Sequence, residues 1–486
     1  MNIETLEQGM LTTMGFEPTP AQRKAVKALA MMMCSTKDAP TLVINGYAGT
    51  GKTTLMKSFC DVLHGLNVPV VLLAPTGRAA KVLANYTGRP AMTIHRGIYR
   101  QETADANSGF SLSYNKIHDG VFVVDEASMV GDEASGGGMR WGNGRLLSDL
   151  AEYVFMQPGN RLVLVGDPDQ LPPVGLEKSP ALDVEYLKRM GLTVGRVWLS
   201  DVVRQRGGSL ILEDAMALRK EIEAEEIKEG KPTIKGIEGE DVEHISGAGL
   251  LEKIEESFEK FGMRETVIIT RSNKRATMYN IGIRGQALYL EERLAKGDML
   301  IVTKNNYLWA EKAETDFIAN GDIVEVVSIY GYEEMGGLHF ADVSVRLVDR
   351  DSIDVDCKIL LDFLTADVAV VDEESHLKTE VSTSQINERL QTLEMEDYGE
   401  MGDKRKRAKE VRKDEWINAL QVRYAYAITC HKAQGGQWDA VFVDLGYVGE
   451  DATSKQIAQW MYTAMTRARK KVYLVNYEEK EKTGNN

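Results

Sequence analysis

Cysteine is scarce in this chain, and long apolar runs are missing. The 486 residues include only Cys34, Cys60, Cys357 and Cys430, and their spacing matches neither a zinc site nor a disulfide framework. The most apolar run near the N-terminus, residues 28–34, is far too short to cross a bilayer, and no signal pattern precedes it. These features predict a cytoplasmic protein in a reducing compartment, with no membrane partner.

Basic residues are also in deficit. The chain has 58 Lys and Arg against 73 Asp and Glu, which gives a net charge of −15. This balance disfavours nonspecific coating of nucleic acid. It still permits a local basic groove, because affinity depends on the phosphates that a few well-placed cations neutralise. Hydrophobic residues at 43% and charged residues at 27% are ordinary for a globular protein, and the length predicts several domains.

A glycine-rich loop, GYAGTGKT, occupies residues 46–53. An apolar run precedes it and apolar residues at helical spacing follow it, so the stretch predicts a strand, a loop and a helix. Glycines let backbone N–H groups turn toward a phosphate, the lysine reaches the β- and γ-phosphates, and the following hydroxyl binds Mg²⁺. We therefore predict an ATP site formed by Gly46, Ala48, Gly49, Thr50, Gly51, Lys52, Thr53 and Thr54.

Gln22 lies shortly before this loop, at the start of an amphipathic helix. Its amide offers a donor and an acceptor that match the edge of adenine. An exposed helix residue with no ligand explains it equally well. The sequence leaves both interpretations open.

Asp125 and Glu126 follow a second apolar run, residues 121–124. Two carboxylates at the end of a buried strand, downstream of a phosphate loop, favour hydrolysis over binding alone. Asp125 would hold Mg²⁺, and Glu126 would polarise the attacking water. A third apolar run, residues 161–165, leads to Gln170, whose amide would sense the γ-phosphate or orient water; a rigid proline-stiffened turn is the alternative.

The remaining patterns outline the domains. Short runs on either side of residues 105–109 suggest a β-hairpin, although a plain surface excursion fits as well. An α/β pattern restarts at residues 266–273, short strands between 297 and 422 suggest a small β-barrel, and residues 424–430 resume the α/β pattern as one strand. The basic cluster at 404–407 favours a solvated face over a nucleic-acid contact.

Taken in order, the motifs resemble those of superfamily 1B DNA helicases of the RecD-like and bacteriophage Dda-like type. The matching strings are TPAQ at 19–22, GYAGTGKT at 46–53, APT at 74–76, TIH at 93–95, DEASM at 125–129, GD at 166–167 with QLPPV at 170–174, RQ at 204–205, HKAQG at 431–435 and YTAMTRAR at 462–469. Ala433 departs from the serine that many relatives carry, which puts one DNA-phosphate contact in doubt.

The resemblance implies an α/β fold of two RecA-like P-loop domains, with a β-hairpin insertion in the first and a small SH3-like β-barrel insertion in the second. The first domain would span residues 1–200 and carry the hairpin at 94–120. The second would comprise residues 201–296 and 423–486, and the insertion with its helical extension would span 297–422. The glycine-rich stretch at 134–144 has no role in this scheme.

The resemblance also implies the site residues. The catalytic set would be Lys52, Glu126, Gln170, Arg204 and Arg467. The two arginines would contact the γ-phosphoryl group, with Gly435, Gln22 and Asp125 completing the nucleotide site and Thr53 and Asp125 holding the metal. The DNA contacts would be Pro75, Thr76, Thr93, His95, Phe110, Thr429, His431 and Gln434, with Phe110 as the wedge of the hairpin.

The expected activity is that of an ATP-dependent, Mg²⁺-dependent DNA helicase. It would move 5′ to 3′ on single-stranded DNA as a monomer and separate strands at junctions of single-stranded and duplex DNA. The alternatives are a translocase or accessory ATPase that does not separate strands, an RNA helicase of the same branch, and an ATP-dependent switch protein. Glu126 and the two arginines disfavour the switch.

Overall fold

The computed structural model describes residues 2–101, 110–133, 142–201, 209–224, 232–237, 239–312, 318–348, 353–371, 378–446, 448 and 452–477. The chain divides into two compact units, Met1–Gly208 and Ser209–Asn486. The division lies a few residues beyond the predicted boundary at residue 200. Arg204 therefore belongs by chain position to the first unit, and it lies outside the described residues.

The first unit alternates helices and strands. In chain order its described elements are α1 (Ile3–Met14), α2 (Pro20–Met33), β1 (Pro40–Gly46), α3 (Lys52–Gly65), β2 (Val70–Ala74), α4 (Gly77–Thr87), β3 (Ala91–Thr93), α5 (Ile94–Ile98), β4 (Tyr99–Gln101), β5 (Phe110–Leu112), β6 (Val121–Val124), α6 (Leu146–Phe155), β7 (Arg161–Gly166), α7 (Val184–Arg189) and β8 (Thr193–Leu199).

Six described strands form one sheet in the order β3-β2-β6-β7-β1-β8, and every neighbouring pair is parallel. Strands β1 and β6 are buried along their whole length, as expected for a parallel sheet covered on both faces. Leu29 of α2 and Phe59 of α3 belong to the same apolar core as Ile44 of β1. Because all strands run the same way, the loops after β1, β2, β3, β6 and β7 meet at one edge of the sheet.

Strands β4 and β5 form a separate antiparallel pair. Tyr99 pairs with Leu112 and Gln101 with Phe110. The residues that connect the two strands, 102–109, lie outside the described residues. The structure therefore describes the two strands of the predicted hairpin and not the residues that connect them.

The second unit contains, in chain order, α8 (Leu210–Glu223), β9 (Val242–Ile245), α9 (Leu250–Phe261), β10 (Thr266–Thr270), α10 (Asn273–Gly282), β11 (Met299–Val302), α11 (Leu308–Lys312), β12 (Ile323–Met335), β13 (Leu338–Leu347), β14 (Ile353–Leu360), β15 (Ala369–Val371), β16 (Lys378–Glu380), α12 (Thr383–Tyr398), α13 (Lys404–Lys413), β17 (Leu420–Tyr424), β18 (Ala427–Thr429), α14 (Cys430–Ala433), β19 (Trp438–Asp444), α15 (Ser454–Met465) and β20 (Ala468–Val475).

The β structure of this unit comprises a parallel sheet, a barrel and the antiparallel pair β15–β16. The sheet has the order β18-β10-β19-β20-β9, and strands β11, β12, β13, β14 and β17 close into a barrel. The two parallel sheets and the closed barrel confirm the predicted α/β class and the predicted barrel. Its SH3-like character and the exact insertion limits stay predictions.

The predicted single strand at 424–430 is wrong, because the chain passes there from the barrel to the sheet. Strand β17 ends at Tyr424 and β18 begins at Ala427. The Asn280 side chain holds the transition. Its amide nitrogen donates to the carbonyls of Tyr424 at 3.0 Å and Ala427 at 2.9 Å, and its oxygen accepts from the Ala427 N–H at 2.7 Å.

In the part of the chain that the structure describes, no helix has both the length and the apolar character needed to cross a membrane.

Candidate functional site

The glycine-rich loop connects β1 to α3, as the sequence predicts. Gly49 and Gly51 have φ angles of +78° and +82°, a region that disfavours any other residue. A Cβ on Gly46 would lie 3.0 Å from the Leu199 Cβ and 3.0 Å from the Lys52 Cγ. The glycines therefore allow both the turn and the close packing of the loop on the sheet.

Lys52 begins α3 and folds its side chain back into the loop. The ammonium donates to the Gly46 carbonyl at 2.6 Å and to the Tyr47 carbonyl at 3.0 Å. Thr53 follows in the first turn of the helix and is half-buried. A cation inside a glycine loop, at a helix N-terminus, has the charge and the backbone surroundings that bind phosphate.

Gln22 is buried and bonded, which excludes the exposed alternative. Only 1% of the residue is exposed. Its amide oxygen accepts from the Thr19 N–H at 3.1 Å, and its amide nitrogen donates to the Thr50 carbonyl at 3.2 Å. Gln22 thus caps α2 and ties it to the phosphate loop. Its contact with adenine stays a prediction.

The carboxylates Asp125 and Glu126 lie directly after β6. The Asp125 N–H donates to the Leu73 carbonyl at 2.9 Å, which extends the pairing of β6 with β2 by one residue. Burial, together with the neighbouring charge of Glu126, raises the pKa of Asp125 to about 6, and the Lys52 ammonium acts in the opposite direction. The Lys52 ammonium therefore interacts electrostatically with the Asp125 carboxylate.

Thr53 and Asp125 fit the chemistry of a magnesium site. Mg²⁺ in nucleotide sites takes one or two protein oxygens and completes its shell with phosphates and water. A hydroxyl in the first turn after the loop and a half-buried carboxylate at the same edge of the sheet supply such ligands. The half-buried pair Asp125 and Glu126 also favours a cation, because the two negative charges repel each other.

Gln170 lies on the loop after β7, which neighbours both β6 and β1. The loop is tightly turned: the Asp167 carboxylate accepts from the Asp169 N–H at 3.1 Å, and the Asp167 carbonyl accepts from the Gln170 N–H at 3.3 Å. Gln170 is 4% exposed. The structure thus contains the rigid turn of the sequence alternative, and the role of the Gln170 amide toward the γ-phosphate or water stays a prediction.

The predicted DNA contacts of the first unit lie at the carboxyl ends of β2 and β3 and at the start of α5. Thr76, next to Pro75, caps α4 by accepting from the Ala79 N–H at 3.2 Å, and Thr93 caps α5 by accepting from the Arg96 N–H at 3.2 Å. Burial lowers the pKa of His95 to about 4, so its ring is neutral at physiological pH. The threonines therefore have a structural role as helix caps beside any role in binding.

Phe110 is the first residue of β5 and is 8% exposed. The role of Phe110 as the wedge of the hairpin stays a prediction. Its carbonyl accepts from the Gly142 N–H at 2.6 Å. This contact comes from a segment more than thirty residues downstream, which local sequence patterns do not reveal.

The corresponding residues of the second unit lie after β18. Thr429 ends the strand, and His431 follows in α14, where burial lowers its pKa. Gln434 is 3% exposed, and Gly435 has a φ of +74° that allows the chain to turn toward β19. The structure therefore gathers Thr429, His431 and Gln434 in one short segment, as the sequence predicts.

Arg467 lies just past α15 and is 4% exposed. Its Nε donates to the Thr463 carbonyl at 3.1 Å, and its Nη2 donates to the Thr466 hydroxyl at 3.3 Å. The guanidinium thus contacts the carboxyl end of its own helix, which is favourable for a cation. Its role toward the γ-phosphate stays a prediction, as does that of Arg204.

Comparison with known proteins places these motifs in a family. A family described as AAA domain matches residues 17–233, and one described as UvrD-like helicase C-terminal domain matches residues 424–475. The ATP-dependent RecD2 DNA helicase of Deinococcus radiodurans is 34% identical over 201 residues, 40% of this chain and 24% of that protein. The ATP-dependent DNA helicase dda of Enterobacteria phage T4 is 34% identical over 93 residues, 18% of this chain and 21% of that protein. These matches confirm the similarity of this chain to superfamily 1B helicases of the RecD-like and Dda-like type.

The extent of these matches is limited. The alignment spans about a quarter of the Deinococcus relative's length. Among solved structures, the Pif1 helicase from Bacteroides in complex with ADP-AlF3 and ssDNA is 14% identical, with 95% of this chain and 93% of that chain covered and a TM-score of 0.47.

Lys432 is a candidate functional residue that the sequence interpretation missed. It lies between His431 and Gln434, and burial, with the nearby charge of Arg423, lowers its pKa to about 8. The signal was available, since Lys432 is part of the HKAQG string. A lysine in a polar string is usually exposed, however, and only the tertiary structure shows that this one is partly buried.

Proposed function

We propose that this protein is an ATP-dependent DNA helicase that moves 5′ to 3′ on single-stranded DNA and unwinds duplex DNA. The observation that carries the proposal is the Lys52 loop and the Asp125-Glu126 pair at one edge of a parallel sheet, with the lysine acting on the pKa of Asp125. Phosphate binding and water activation need these groups together. The similarity to RecD-like and Dda-like helicases also supports ATP-dependent DNA helicase activity.

In the proposed reaction, Lys52 binds the β- and γ-phosphates of ATP in place of the loop carbonyls that it contacts in this structure. Thr53 and Asp125 would hold Mg²⁺, which neutralises phosphate charge when bound. Glu126 accepts the proton of the attacking water, and Gln170 orients that water. Arg204 and Arg467 stabilise the charge that develops on the transferred phosphoryl group.

The proposed DNA contacts are Pro75, Thr76, Thr93 and His95 in the first unit and Thr429, His431 and Gln434 in the second. In each unit they follow the carboxyl ends of parallel strands, where α/β sheets bind ligands. The neutral His95 ring suits stacking on a base better than pairing with a phosphate. We propose that the protein acts as a monomer at junctions of single-stranded and duplex DNA.

The direction and the unwinding step are tested together with two partial duplexes, one with a 5′ tail and one with a 3′ tail. The proposal expects ATP-dependent strand separation on the 5′-tailed duplex and little on the 3′-tailed one. The opposite preference would contradict the direction. ATP hydrolysis stimulated by single strands, without separation of either duplex, would instead indicate a translocase, and stimulation by RNA alone would indicate an RNA helicase.

A further inference from the structure

The end of the glycine-rich stretch and the start of α6 contact both strands of the β4–β5 pair. On β5, the Phe110 carbonyl accepts from the Gly142 N–H at 2.6 Å. On β4, the Tyr99 hydroxyl donates to the Asp149 carboxylate at 2.7 Å. Asp149 is fully buried near the start of α6. One short stretch of chain thus holds the two strands from the same side.

Asn143 completes this arrangement. Its backbone N–H donates to Asp149 Oδ2 at 3.1 Å, and its side-chain nitrogen donates to Asp149 Oδ1 at 3.0 Å. The carboxylate therefore accepts from three donors, of which one belongs to β4. Hydrogen bonds to a charged acceptor are among the stronger ones in proteins. We refer to Gly142, Asn143 and Asp149 as the latch.

Gly142 has no tolerance for a side chain. Its φ is +46°, and a Cβ would lie 2.3 Å from Asp149 Oδ2 and 2.8 Å from the Tyr99 Cε1. Glycine thus lets the backbone pass directly over the bond between Tyr99 and Asp149. This requirement explains at least one glycine of the 134–144 stretch, to which the family motifs assign no role.

The latch is also anchored to the segment that follows the catalytic carboxylates. Asp132 accepts from the Ser148 N–H at 2.8 Å and from the Ser148 hydroxyl at 2.8 Å. The Tyr186 hydroxyl donates to the same carboxylate at 2.8 Å, and the Leu147 N–H donates to the Gly131 carbonyl at 3.2 Å. The start of α6 is therefore fixed on one side to residues 131–132 and on the other to β4.

A two-stranded antiparallel pair of three residues each is marginally stable by itself. An element that separates a duplex must nevertheless keep its orientation against the force that the DNA junction exerts on it. We propose that Asp149 is a positioning residue whose latch holds the β4–β5 pair in the orientation required for strand separation, while ATP hydrolysis does not depend on it. This inference rests on the proposed helicase function.

Tyr99→Phe tests the latch with the loss of a single oxygen atom. It keeps the ring, which lies 5.8 Å from the His95 ring, and removes only the bond to Asp149. Tyr186→Phe is the matched control, because it removes an equivalent tyrosine bond to Asp132 while the two Ser148 bonds that hold the start of α6 to Asp132 remain. In Tyr99→Phe we expect unwinding of a 5′-tailed duplex, divided by DNA-stimulated ATP turnover, to fall about tenfold. In Tyr186→Phe this ratio should stay at the wild-type value.

A second measurement is independent of activity. Hydrogen exchange of the full-length protein should speed up in residues 99–101 and 110–112 of Tyr99→Phe and stay unchanged there in Tyr186→Phe. Equal exchange in the two variants, or an unwinding ratio that falls equally in both, would overturn the latch. A wild-type protein that hydrolyses ATP without unwinding would contradict the proposed function instead, and the exchange measurement would still decide the latch.

Discussion

Glu126 donates its backbone N–H to the Asp125 carboxylate at 3.0 Å and adopts a left-handed backbone with a φ of +51°. This conformation costs a residue with a side chain roughly 1–3 kcal/mol, so the surrounding structure must maintain it. The turn follows β6 directly and leads into the short 3-10 helix Ala127–Met129. This turn ends β6 at the edge of the sheet, and the two carboxylates belong to the consecutive residues Asp125 and Glu126.

Glu126→Gln removes the proposed base without removing the side chain's volume. We expect ATP turnover to fall by roughly 10²-fold or more, since a positioned general base contributes about that much. ATP affinity should persist because Lys52 and Asp125 are intact. Turnover and binding of a fluorescent nucleotide are measured on both Glu126→Gln and Glu133→Gln, an exposed glutamate of the same segment. Equal turnover in the two variants would show that Glu126 is not the base.

A buried ion pair joins Asp298, directly before barrel strand β11, to Arg284, which follows α10. Asp298 accepts from Arg284 Nε at 2.8 Å and Nη2 at 2.9 Å, and the two side chains are 0% and 7% exposed. Asp298→Ala removes the carboxylate that pairs with a buried guanidinium. We therefore expect the free energy of unfolding of the second unit to fall by about 3–5 kcal/mol. Asp354→Ala breaks the exposed pair with Arg346 and should cost about 1 kcal/mol or less. Urea denaturation compares them, and similar losses would refute the role of the buried pair.

Asp214 on α8 makes stability depend on pH. The residue is 2% exposed, and burial, assisted by Glu213, raises its pKa to about 6, although Lys235 and His244 oppose the rise. The folded protein therefore favours the protonated acid, and this stabilisation is full below the ordinary pKa of about 4 and is lost as pH rises through 6. Relative to Asp214→Asn, the wild type should gain about 2 kcal/mol between pH 7 and pH 4. Denaturation curves that show a constant difference would contradict the assignment.

The nucleotide site was predictable because its determinants are local. A glycine pattern between an apolar strand and an apolar-periodic helix admits few other structures, and Lys52 is part of that pattern. Asp125 was equally accessible, since a carboxylate that follows four apolar residues marks the end of a buried strand. Each signal lies within a dozen residues of the group that it identifies.

The features that the sequence did not predict have long-range causes. The Phe110 carbonyl accepts a hydrogen bond from Gly142, and the break between Tyr424 and Ala427 depends on Asn280. Neither partner lies close enough in sequence to affect a local pattern. The burial of Gln22 likewise follows from its bond to Thr50 in the phosphate loop. Tertiary contacts thus decide the side-chain environments that periodicity leaves open.

The central claim is that the Lys52 loop hydrolyses ATP under the control of single-stranded DNA. The most direct test measures ATP turnover of the full chain without nucleic acid, with single-stranded DNA and with RNA of the same sequence. Lys52→Ala serves as the inactive variant, and Lys57→Ala, at a half-exposed lysine of the same helix, serves as the matched control. We predict that DNA stimulates turnover severalfold, that Lys52→Ala abolishes it and that Lys57→Ala retains it. Turnover that DNA leaves unchanged, or that survives in Lys52→Ala, would contradict the account.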